Sequence, residues 1–250
     1  MPAQTEVLID LGLKDRLVGL TRDCIHPAGL IEEKMVVGGT KKIVESRILE
    51  LQPDLIICNR EENNQAIVSF CDHIAPTYVS DIDNLEQALE MIADVGELTG
   101  TKFKAKSLIR NISSAFKTLK KIEVQQKALY LIWKKPYMSI GAGTFINDMM
   151  EKAGCINAAQ HLTRYPELEM EEMIKLQPEV VFLSSEPYPF TTDDIAEIRL
   201  AFLTAPSQSP IIPNVIPDFK VVDGELFSWY GSRLLKTPEY LQSLQPKTIE

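Results

Sequence analysis

The chain has 250 residues, of which 45% are hydrophobic and 24% are charged, and its formal net charge at pH 7 is −9. This composition favours a soluble globular protein, because no segment approaches the roughly 20 apolar residues that a membrane-spanning helix needs. The negative charge argues against nucleic-acid binding, which depends on clustered lysine and arginine. It suits a partner with a basic surface.

The amino-terminal part of the chain reads as alternating helices and strands. Thr5 is predicted to cap a short first helix that Gly12 ends. Buried strands and further helices follow in turn, with strands predicted at 17–21, 34–37, 54–58 and 77–82 and helices at 43–51 and through residue 70.

Two amphipathic helices are predicted in the middle of the chain, at 84–100 and at 102–122. The second is long enough, at roughly 30 Å for about 20 residues, to run along a whole lobe. We therefore interpret it as the connector between two halves of the molecule.

The carboxyl-terminal part repeats the same alternation of strands and helices. Strands are predicted at 128–133, 180–185 and 220–224, and helices at 144–153, 169–176 and 238–244. A proline-broken stretch at 206–217 separates the last strand from the elements before it.

A sequence pattern occurs twice, half a chain length apart, beginning at Leu51 and at Leu176. Each copy reads leucine, glutamine, proline and an acid, then an apolar run, then a polar loop that contains Glu61 or Glu186. Tandem arrays of short units have periods of about 20–50 residues, so this spacing instead indicates two similar α/β lobes. The alternative is a chance recurrence of helix, proline and strand.

The four cysteines, Cys24, Cys58, Cys71 and Cys155, show no C-x-x-C spacing. Most lie in or beside apolar segments, where a small buried thiol is common. We therefore expect neither a structural disulfide nor a cysteine-rich zinc site.

Polar and aromatic residues cluster in the loops that follow the predicted strands. Ligands of α/β proteins collect at the carboxyl ends of strands, so loops from two facing lobes would line one cleft. Aromatic walls and charged hydrogen-bond donors are available there, namely Tyr137, Tyr188, Phe190, Trp229 and Tyr230, with Arg164 and Arg233. Such a cleft holds a ligand without an obvious means of reacting with it.

The sequence contains no signature of an enzyme among the patterns G-x-S-x-G, H-E-x-x-H, the P-loop and G-x-G-x-x-G. Cys24 and His26 form a two-residue pair, which is not a metal site. His26 alone is a candidate ligand to a metal in a bound molecule. The alternative is a histidine that only forms hydrogen bonds in a proline-flanked turn.

Gly38, Gly39 and Thr40 precede a helix, where glycines permit close approach of a ligand to backbone amides. The alternative is an ordinary tight turn. Glu61 and Glu186 have three interpretations: catalytic carboxylates, symmetry-related acids that dock on a basic partner, or solvated acids at helix amino termini. Nothing in the sequence supports the catalytic reading.

Several motifs together resemble those of one protein family. They are PxxTE, HP, VGGTK, EEN, RYPE, SEPYPF and SWYGSR, distributed from Pro2 to about Leu241. The pattern resembles the class III substrate-binding proteins of ABC importers, the helical-backbone metal receptors. Within that superfamily it is most similar to the cobalamin-binding branch.

The resemblance implies two Rossmann-like α/β lobes joined by one long connecting helix. The amino-terminal lobe would span residues 1–100, the connecting helix 101–125 and the carboxyl-terminal lobe 126–250. The protein would be a non-enzymatic, monomeric binding protein without a cofactor of its own. It would carry a metal chelate to a permease and its ATPase, with cobalamin or a related corrinoid as the first candidate ligand. The alternatives are a ferric-siderophore or haem binder, or an intracellular chelate-handling protein or enzyme.

The resemblance also implies roles for individual residues. The permease-docking acids would be Glu61 or Glu62 in the first lobe and Glu186 in the second. His26 would be a possible axial ligand to a bound chelate. The ligand-binding residues would be Cys24, His26, Gly39, Thr40, Asn59, Trp133, Tyr137, Arg164, Tyr165, Tyr188, Trp229, Tyr230 and Arg233.

The chain departs from the family pattern at its amino terminus. Members carry an export signal or a lipid-anchored cysteine and then a strand that runs into PxxTE, whereas Met1 and Pro2 already lie in that motif. No basic segment followed by an apolar stretch is present. We therefore expect a misassigned start or a truncated gene, and a first sheet that lacks one strand. The resemblance favours the periplasm or cell envelope, and the cytoplasm is the alternative.

Overall fold

The computed structural model describes residues 1–120, 125–206 and 216–245. The chain forms two compact units. The first contains Met1–Lys117 and Trp229–Leu235, and the second contains Thr118–Ser228 and Lys236–Glu250. Both units alternate helices with strands, which confirms the predicted α/β class.

The first unit contains two short, separate parallel sheets. Strand β1 (Gly19–Leu20) pairs with β2 (Met35–Val36), and β3 (Ile56–Asn59) pairs with β4 (Thr77–Ser80). Across residues 1–120, no strand pairing joins the two sheets. The helices of this unit are α1 (Pro2–Asp10), α2 (Leu30–Glu33), α3 (Glu45–Leu51), α4 (Gln65–Asp72), α5 (Leu85–Leu98) and α6 (Lys102–Phe116).

Helix α1 begins earlier than the sequence predicts. Met1 is its N-cap and Pro2 occupies the first turn, where proline is favoured because its fixed φ suits a helix start. The prediction that Thr5 caps this helix is wrong. Thr5 lies inside α1, and its Oγ1 contacts Cys24 Sγ at 3.3 Å in the interior of the unit.

Helices α5 and α6 pack closely against each other. A Cβ atom on Gly96 would lie 2.4 Å from the Cβ of Ala105, so the absence of a side chain at residue 96 permits this approach. Helix α6 ends at Phe116, whereas the apolar spacing predicts a helix through Ile122. Residues 117–120 form a turn and irregular chain, and residues 121–124 lie outside the described part. Apolar spacing does not by itself locate a helix end.

A carboxyl-terminal segment returns to the first unit. Residues Ser232–Leu235 form a 3₁₀ helix that contacts α1. Arg233 Nη2 and Nε donate to Glu6 Oε1 and Oε2 at 2.8 and 3.2 Å, and both side chains are only 15% exposed. Beside them Gly231 approaches the backbone of α1, since a Cβ there would lie 2.5 Å from the carbonyl oxygen of Ala3.

The second unit contains a mixed sheet built around β5 (Gln126–Trp133). Strand β5 pairs in parallel with β9 (Val180–Ser184), which pairs in parallel with β10 (Asp218–Val222). On its other side β5 pairs with β7 (Cys155–Asn157) and, antiparallel, with β6 (Tyr137–Ser139), which pairs with β8 (Glu167–Leu168).

Helices cover this sheet and bury an apolar core. They are α7 (Phe145–Lys152), α8 (Met170–Lys175), α9 (Thr192–Thr204), α10 (Gly224–Ser228) and α11 (Thr237–Leu244). The core includes the fully buried side chains of Leu129, Leu131, Val181, Leu183 and Ile198. Every residue of β9 is buried, as expected of a central strand that is covered on both faces.

The two copies of the repeated pattern adopt the same local backbone. Gln52 and Gln177 each follow a helix and have left-handed φ values of 44° and 46°. Proline is the next residue in both copies and prevents the helix from continuing. Each turn therefore reverses the chain from a helix into a strand, β3 in the first unit and β9 in the second.

Among the described residues, no helix combines the length and the apolar composition required to span a bilayer.

Because Gly231 lies so close to α1, even the addition of one methyl group at this position should destabilise the protein strongly. Replacing Gly231 with alanine should lower the free energy of unfolding by about 3 kcal/mol, because the new methyl group meets backbone atoms that cannot move aside easily. Gly100→Ala is the control, since no atom lies within 4 Å of its Cβ position and only its φ of +71° is strained, at about 1–2 kcal/mol. Urea unfolding measures both variants, and equal losses would contradict the packing described.

Candidate functional site

Three side chains form a cluster around Trp229 in the first unit. The imidazole of His26 contacts the indole of Trp229 edge to face, with ring centroids 5.5 Å apart. The guanidinium carbon of Arg233 lies 4.7 Å from the centre of the same indole ring. Because Arg233 is also bound to Glu6, the indole contacts both a half-buried imidazole and an anchored cation.

Cys24 lies beside this cluster in sequence but faces the interior. Its side chain is completely buried, and its Sγ lies 3.3 Å from the hydroxyl oxygens of both Thr5 and Thr21. All four cysteines are free thiols. Over the described residues, no three histidine, cysteine or acidic side chains are grouped so as to hold a metal ion.

Asn59 organises the acidic loop that follows β3. Its side chain is buried, and its Oδ1 accepts hydrogen bonds from the backbone N–H groups of Glu61 and Glu62 at 3.0 and 3.1 Å. Its Nδ2 donates to the carbonyl oxygen of Ser80 at 3.3 Å. Asn59 therefore shapes the loop that carries the acids.

The glycine turn before α3 packs against this acidic loop. Thr40 Oγ1 donates to Glu62 Oε2 at 2.9 Å, and Lys41 Nζ donates to the carbonyl oxygen of Glu61 at 2.7 Å. The backbone N–H of Gly39 donates to Lys42 at 2.8 Å, which closes a tight turn. Thr40 and Lys41 thus contact the acidic loop, and Gly39 closes the turn that carries them.

Tyr230 lies buried near the same acidic loop. Its burial raises the pKa of the phenol above its usual range, and the negative charges of Glu61 and Glu62 raise it further. Tyr230 is therefore neutral at physiological pH.

A buried lysine lies in the loop that follows β5 in the second unit. Lys134 Nζ donates to Asp194 Oδ1 at 2.6 Å and to Glu197 Oε2 at 2.7 Å, and the lysine side chain is 6% exposed. Burial alone would lower the pKa of Lys134, but these two hydrogen bonds raise it above its ordinary value. The lysine thus remains charged and ties the loop after β5 to the start of α9.

The pKa values of the two acidic partners of Lys134 are lowered. Hydrogen bonding from Lys134, and then from the backbone of Thr191, lowers the pKa of Asp194 to about 2. Hydrogen bonds from Lys134 and Tyr137 also lower the pKa of Glu197. Burial and the hydrogen bond to Glu197 raise the pKa of Tyr137 to about 12, and its hydroxyl donates to Glu197 at 3.1 Å.

Aromatic side chains lie next to this ion-pair cluster. Trp133 contacts Tyr188 edge to face at 5.7 Å, and Tyr188 contacts Phe190 in the same way at 4.8 Å. The hydroxyl of Tyr188 donates to Asp194 Oδ1 at 3.4 Å. Trp133 is 39% exposed although it is a large apolar residue, so this aromatic face is partly open to solvent.

Arg164 occupies a turn elsewhere in the second unit. Its backbone has a left-handed φ of 58°, and its Nη1 donates to the carbonyl oxygen of Gly143 at 2.8 Å. Tyr165 follows it and is half-buried. Arg164 thus joins the RYPE motif to the glycine turn before α7.

Glu186 follows β9 in a setting that parallels the loop after β3. Its backbone N–H donates to Ser184 Oγ at 3.4 Å, as the N–H of Glu61 donates to Asn59. In each unit the last residue of the strand thus accepts a hydrogen bond from a glutamate two positions later. The Glu186 carboxylate also accepts a hydrogen bond from Ser228 Oγ at 3.1 Å.

Four residues that anchor these sites have no predicted role, namely Glu6, Lys134, Asp194 and Glu197. A local sequence pattern could have indicated the position of Asp194, because Thr191 and Asp194 form a capping box at the start of α9. Glu6 and Arg233 lie at opposite ends of the chain, and no local pattern indicates their pairing.

The chain matches the family described as periplasmic binding protein over residues 1–203. It is 26% identical over 264 residues to the ABC transporter substrate-binding lipoprotein YvrC of Bacillus subtilis, covering 100% of this chain and 80% of that protein. It is also 26% identical over 193 residues to the vitamin B12-binding protein of Vibrio parahaemolyticus, covering 73% and 68% of the two chains.

Solved structures with the same fold include two binding proteins of Vibrio cholerae. The haem-binding protein HutB has a TM-score of 0.78 and 22% identity, covering 97% of this chain and 95% of its own. The vitamin B12-binding protein BtuF has a TM-score of 0.72 and 18% identity, covering 99% and 96%. At these identities the likeness establishes the fold.

These findings confirm two predictions, the two-lobe α/β fold and a binding protein rather than an enzyme. The match to the family covers most of the chain. The chain therefore belongs to the periplasmic binding protein family.

Proposed function

We propose that this protein is the substrate-binding component of an ABC importer and that it carries a metal chelate, with cobalamin or a related corrinoid as the first candidate. The observation that carries the proposal is the partly exposed aromatic face of Trp133 and Tyr188, which a buried ion-pair cluster holds in place. The vitamin B12-binding relatives support the same ligand class.

A fixed aromatic face suits a large and partly apolar macrocycle. Aromatic side chains bury much surface with few rotatable bonds, so little conformational entropy is lost when a ligand packs on them. Tyr188 loses still less freedom, because its hydroxyl is bound to Asp194. The ion pairs of Lys134 thus act as a scaffold for ligand packing rather than as reactive groups.

Haem is the second candidate, and His26 is the observation that favours it. A half-buried imidazole that is held against Trp229 is a suitable axial ligand for a metal in a planar chelate. The same imidazole is compatible with a corrinoid. The choice between the two therefore depends on measured binding.

The acids after β3 and β9 are proposed to dock on the permease. Glu61 and Glu186 occupy equivalent positions in the repeated pattern, and each has its backbone N–H bound by the last residue of the preceding strand. One acid per unit matches a basic surface on each of two permease subunits, and the net charge of −9 favours the encounter. On this proposal the protein works in the periplasm or at the cell envelope.

Substitutions in the aromatic face of Trp133 and Tyr188 test whether it binds the ligand. Trp133→Ala and Tyr188→Ala should each weaken binding of the preferred chelate by about tenfold or more, which corresponds to about 1.4 kcal/mol. The measurement is visible absorbance and calorimetry with cyanocobalamin, haemin and a ferric hydroxamate. Phe103→Ala is the matched control, because Phe103 is an exposed aromatic residue on α6 in the first unit.

Binding of none of the three chelates by the unmodified protein would contradict the proposed function. Unchanged chelate affinity in both Trp133→Ala and Tyr188→Ala would contradict the proposal that this aromatic face binds the ligand. It would not contradict the proposed class of ligand. His26→Ala should change the absorbance spectrum of the bound chelate only where the imidazole ligates its metal.

If Glu61 and Glu186 dock on the permease, their substitution should impair transport without affecting ligand binding. The double variant Glu61→Lys and Glu186→Lys should keep its chelate affinity but reduce uptake at least tenfold in reconstituted transporter, because like charges then meet at the docking surface. A double variant of exposed acids on helices, Glu86→Lys and Glu171→Lys, gives the same change in net charge and should retain uptake. Equal uptake by both double variants would overturn the docking assignment.

The lowered pKa of Asp194 predicts a loss of stability in acid. Its pKa of about 2 in the folded protein lies below the ordinary value, so its contribution is complete above about pH 4 and is lost as the pH falls towards 2. At pH 7, Asp194→Asn should lower the free energy of unfolding by about 2–3 kcal/mol. This is a small loss for a broken buried ion pair, because Glu197 still binds Lys134.

Urea unfolding between pH 7 and pH 3 measures this contribution. The stability of Asp194→Asn should depend less on pH below pH 4 than that of the unmodified protein. Glu171→Gln is the control, since Glu171 is exposed and should give an unchanged profile. An identical acid dependence in the Asp194 variant would contradict the assigned ion pair.

A further inference from the structure

A short segment, Ser228–Tyr230, touches features of both units. Between Ser228 and Trp229 the chain passes from the second unit to the first. Ser228 is the last residue of α10, and the side chains of Trp229 and Tyr230 after it are only 8% and 6% exposed. We refer to these three residues as the crossing segment. Each of them lies beside a different group that the proposed function uses.

Ser228 holds the side chain of Glu186, the proposed docking acid of the second unit. Its Oγ donates to Glu186 Oε1 at 3.1 Å. At the other end of α10, a Cβ atom on Gly224 would lie 2.6 Å from Cγ of Glu186, so the glutamate side chain packs on the helix backbone. A carboxylate has about four acceptor positions, so this hydrogen bond is compatible with further bonds to a basic partner.

Trp229 contacts the candidate axial ligand. Its indole lies against the imidazole of His26, with ring centroids 5.5 Å apart, and against the guanidinium of Arg233. Because a buried ring in a packed interior has little room to move on its own, a change at His26 is passed to the backbone of Trp229.

Tyr230 lies near the acidic loop of the first unit. Burial and then the negative charges of Glu61 and Glu62 raise the pKa of its phenol above the usual range, so the ring is within electrostatic reach of both acids. The next residue, Gly231, lies against α1, since a Cβ there would be 2.5 Å from the carbonyl oxygen of Ala3. The carboxyl end of the crossing segment is therefore anchored.

The crossing segment is too short to absorb a displacement. Only two planar peptide units separate the Cα atoms of Ser228 and Tyr230, which are therefore at most about 7 Å apart. Because Gly231 is held against α1, a shift of Trp229 is passed towards Ser228. Ser228 in turn is bound to the side chain of Glu186.

We infer that the crossing segment links chelate binding to permease docking, and that Ser228 is the positioning residue of Glu186. The inference rests on the proposed function, because it takes Glu186 as a docking acid and His26 as part of the chelate site. The Ser228 hydroxyl holds the carboxylate in one orientation before the permease is met, so less side-chain freedom is lost on docking. A chelate that contacts His26 moves Trp229 and so alters this hydrogen bond.

The positioning role is tested by binding to the permease–ATPase complex in lipid nanodiscs, measured by biolayer interferometry. Ser228→Ala should weaken docking about three- to tenfold, which corresponds to the loss of one hydrogen bond. Ser228→Thr keeps the hydroxyl and should restore docking. Ser114→Ala is the control, because Ser114 is an exposed serine on α6. Docking of Ser228→Ala with unchanged affinity would overturn the positioning role.

Glu186→Ala separates this inference from the proposed function. In the Glu186→Ala background, Ser228→Ala should cause no further loss of docking, because the acid that it positions is gone. A further loss of the same size would mean that Ser228 acts on the fold, and would contradict the inference. Normal docking of Glu186→Ala would reject the docking proposal itself. Impaired docking of Glu186→Ala beside normal docking of Ser228→Ala would reject only the positioning role.

The link to the chelate is tested by the same assay with and without saturating cyanocobalamin, with haemin as the second probe. Chelate should change the docking affinity of the unmodified protein about threefold or more, and less than about twofold in Ser228→Ala. An equal chelate effect in both proteins, or no effect in the unmodified protein, would refute the link. Binding of neither probe would instead contradict the proposed function, on which the link depends.

Discussion

The ion pair between Glu6 and Arg233 is the constraint on which the first unit depends. It joins α1 to a segment that lies more than two hundred residues later, and this segment contributes Trp229 and Tyr230 to the first unit. Because Arg233 also lies against the Trp229 ring, the ion pair fixes the indole that contacts His26. The packing of these three side chains therefore depends on a contact between the two ends of the chain.

The repeated sequence pattern has a physical basis in each unit. A left-handed glutamine followed by proline ends a helix and directs the chain into a strand, and the last residue of that strand accepts a hydrogen bond from a glutamate N–H. The backbone of each acid is thus held in the same way in both units. Glu61 lies at the position equivalent to Glu186, two residues after the last residue of its strand, and Thr40 and Lys41 bind the neighbouring Glu62.

Much of the fold follows from local patterns, but several site residues do not. The Leu-Gln-Pro turns, the strands after them and the helix that follows Thr144 are predictable, because backbone preference and apolar spacing act over a few residues. The role of Asn59 was not predictable, since a polar residue after a strand reads equally as a ligand contact or a buried loop organiser. The pairing of Lys134 with Asp194 and Glu197 joins segments about sixty residues apart and leaves no periodic signal.

The second unit places the proposed ligand face and the proposed docking acid in one loop. Tyr188 lies two residues after Glu186, and its hydroxyl is bound to Asp194, which Lys134 holds in the interior. A ligand that packs on Tyr188 therefore acts on the same short segment that carries the docking charge. A small change in the loop from Glu186 to Tyr188 would then be enough to couple ligand binding to docking. The end of this loop near Tyr188 is held by the buried ion pair of Asp194 and Lys134. An isolated aromatic face on a mobile loop would lack that connection.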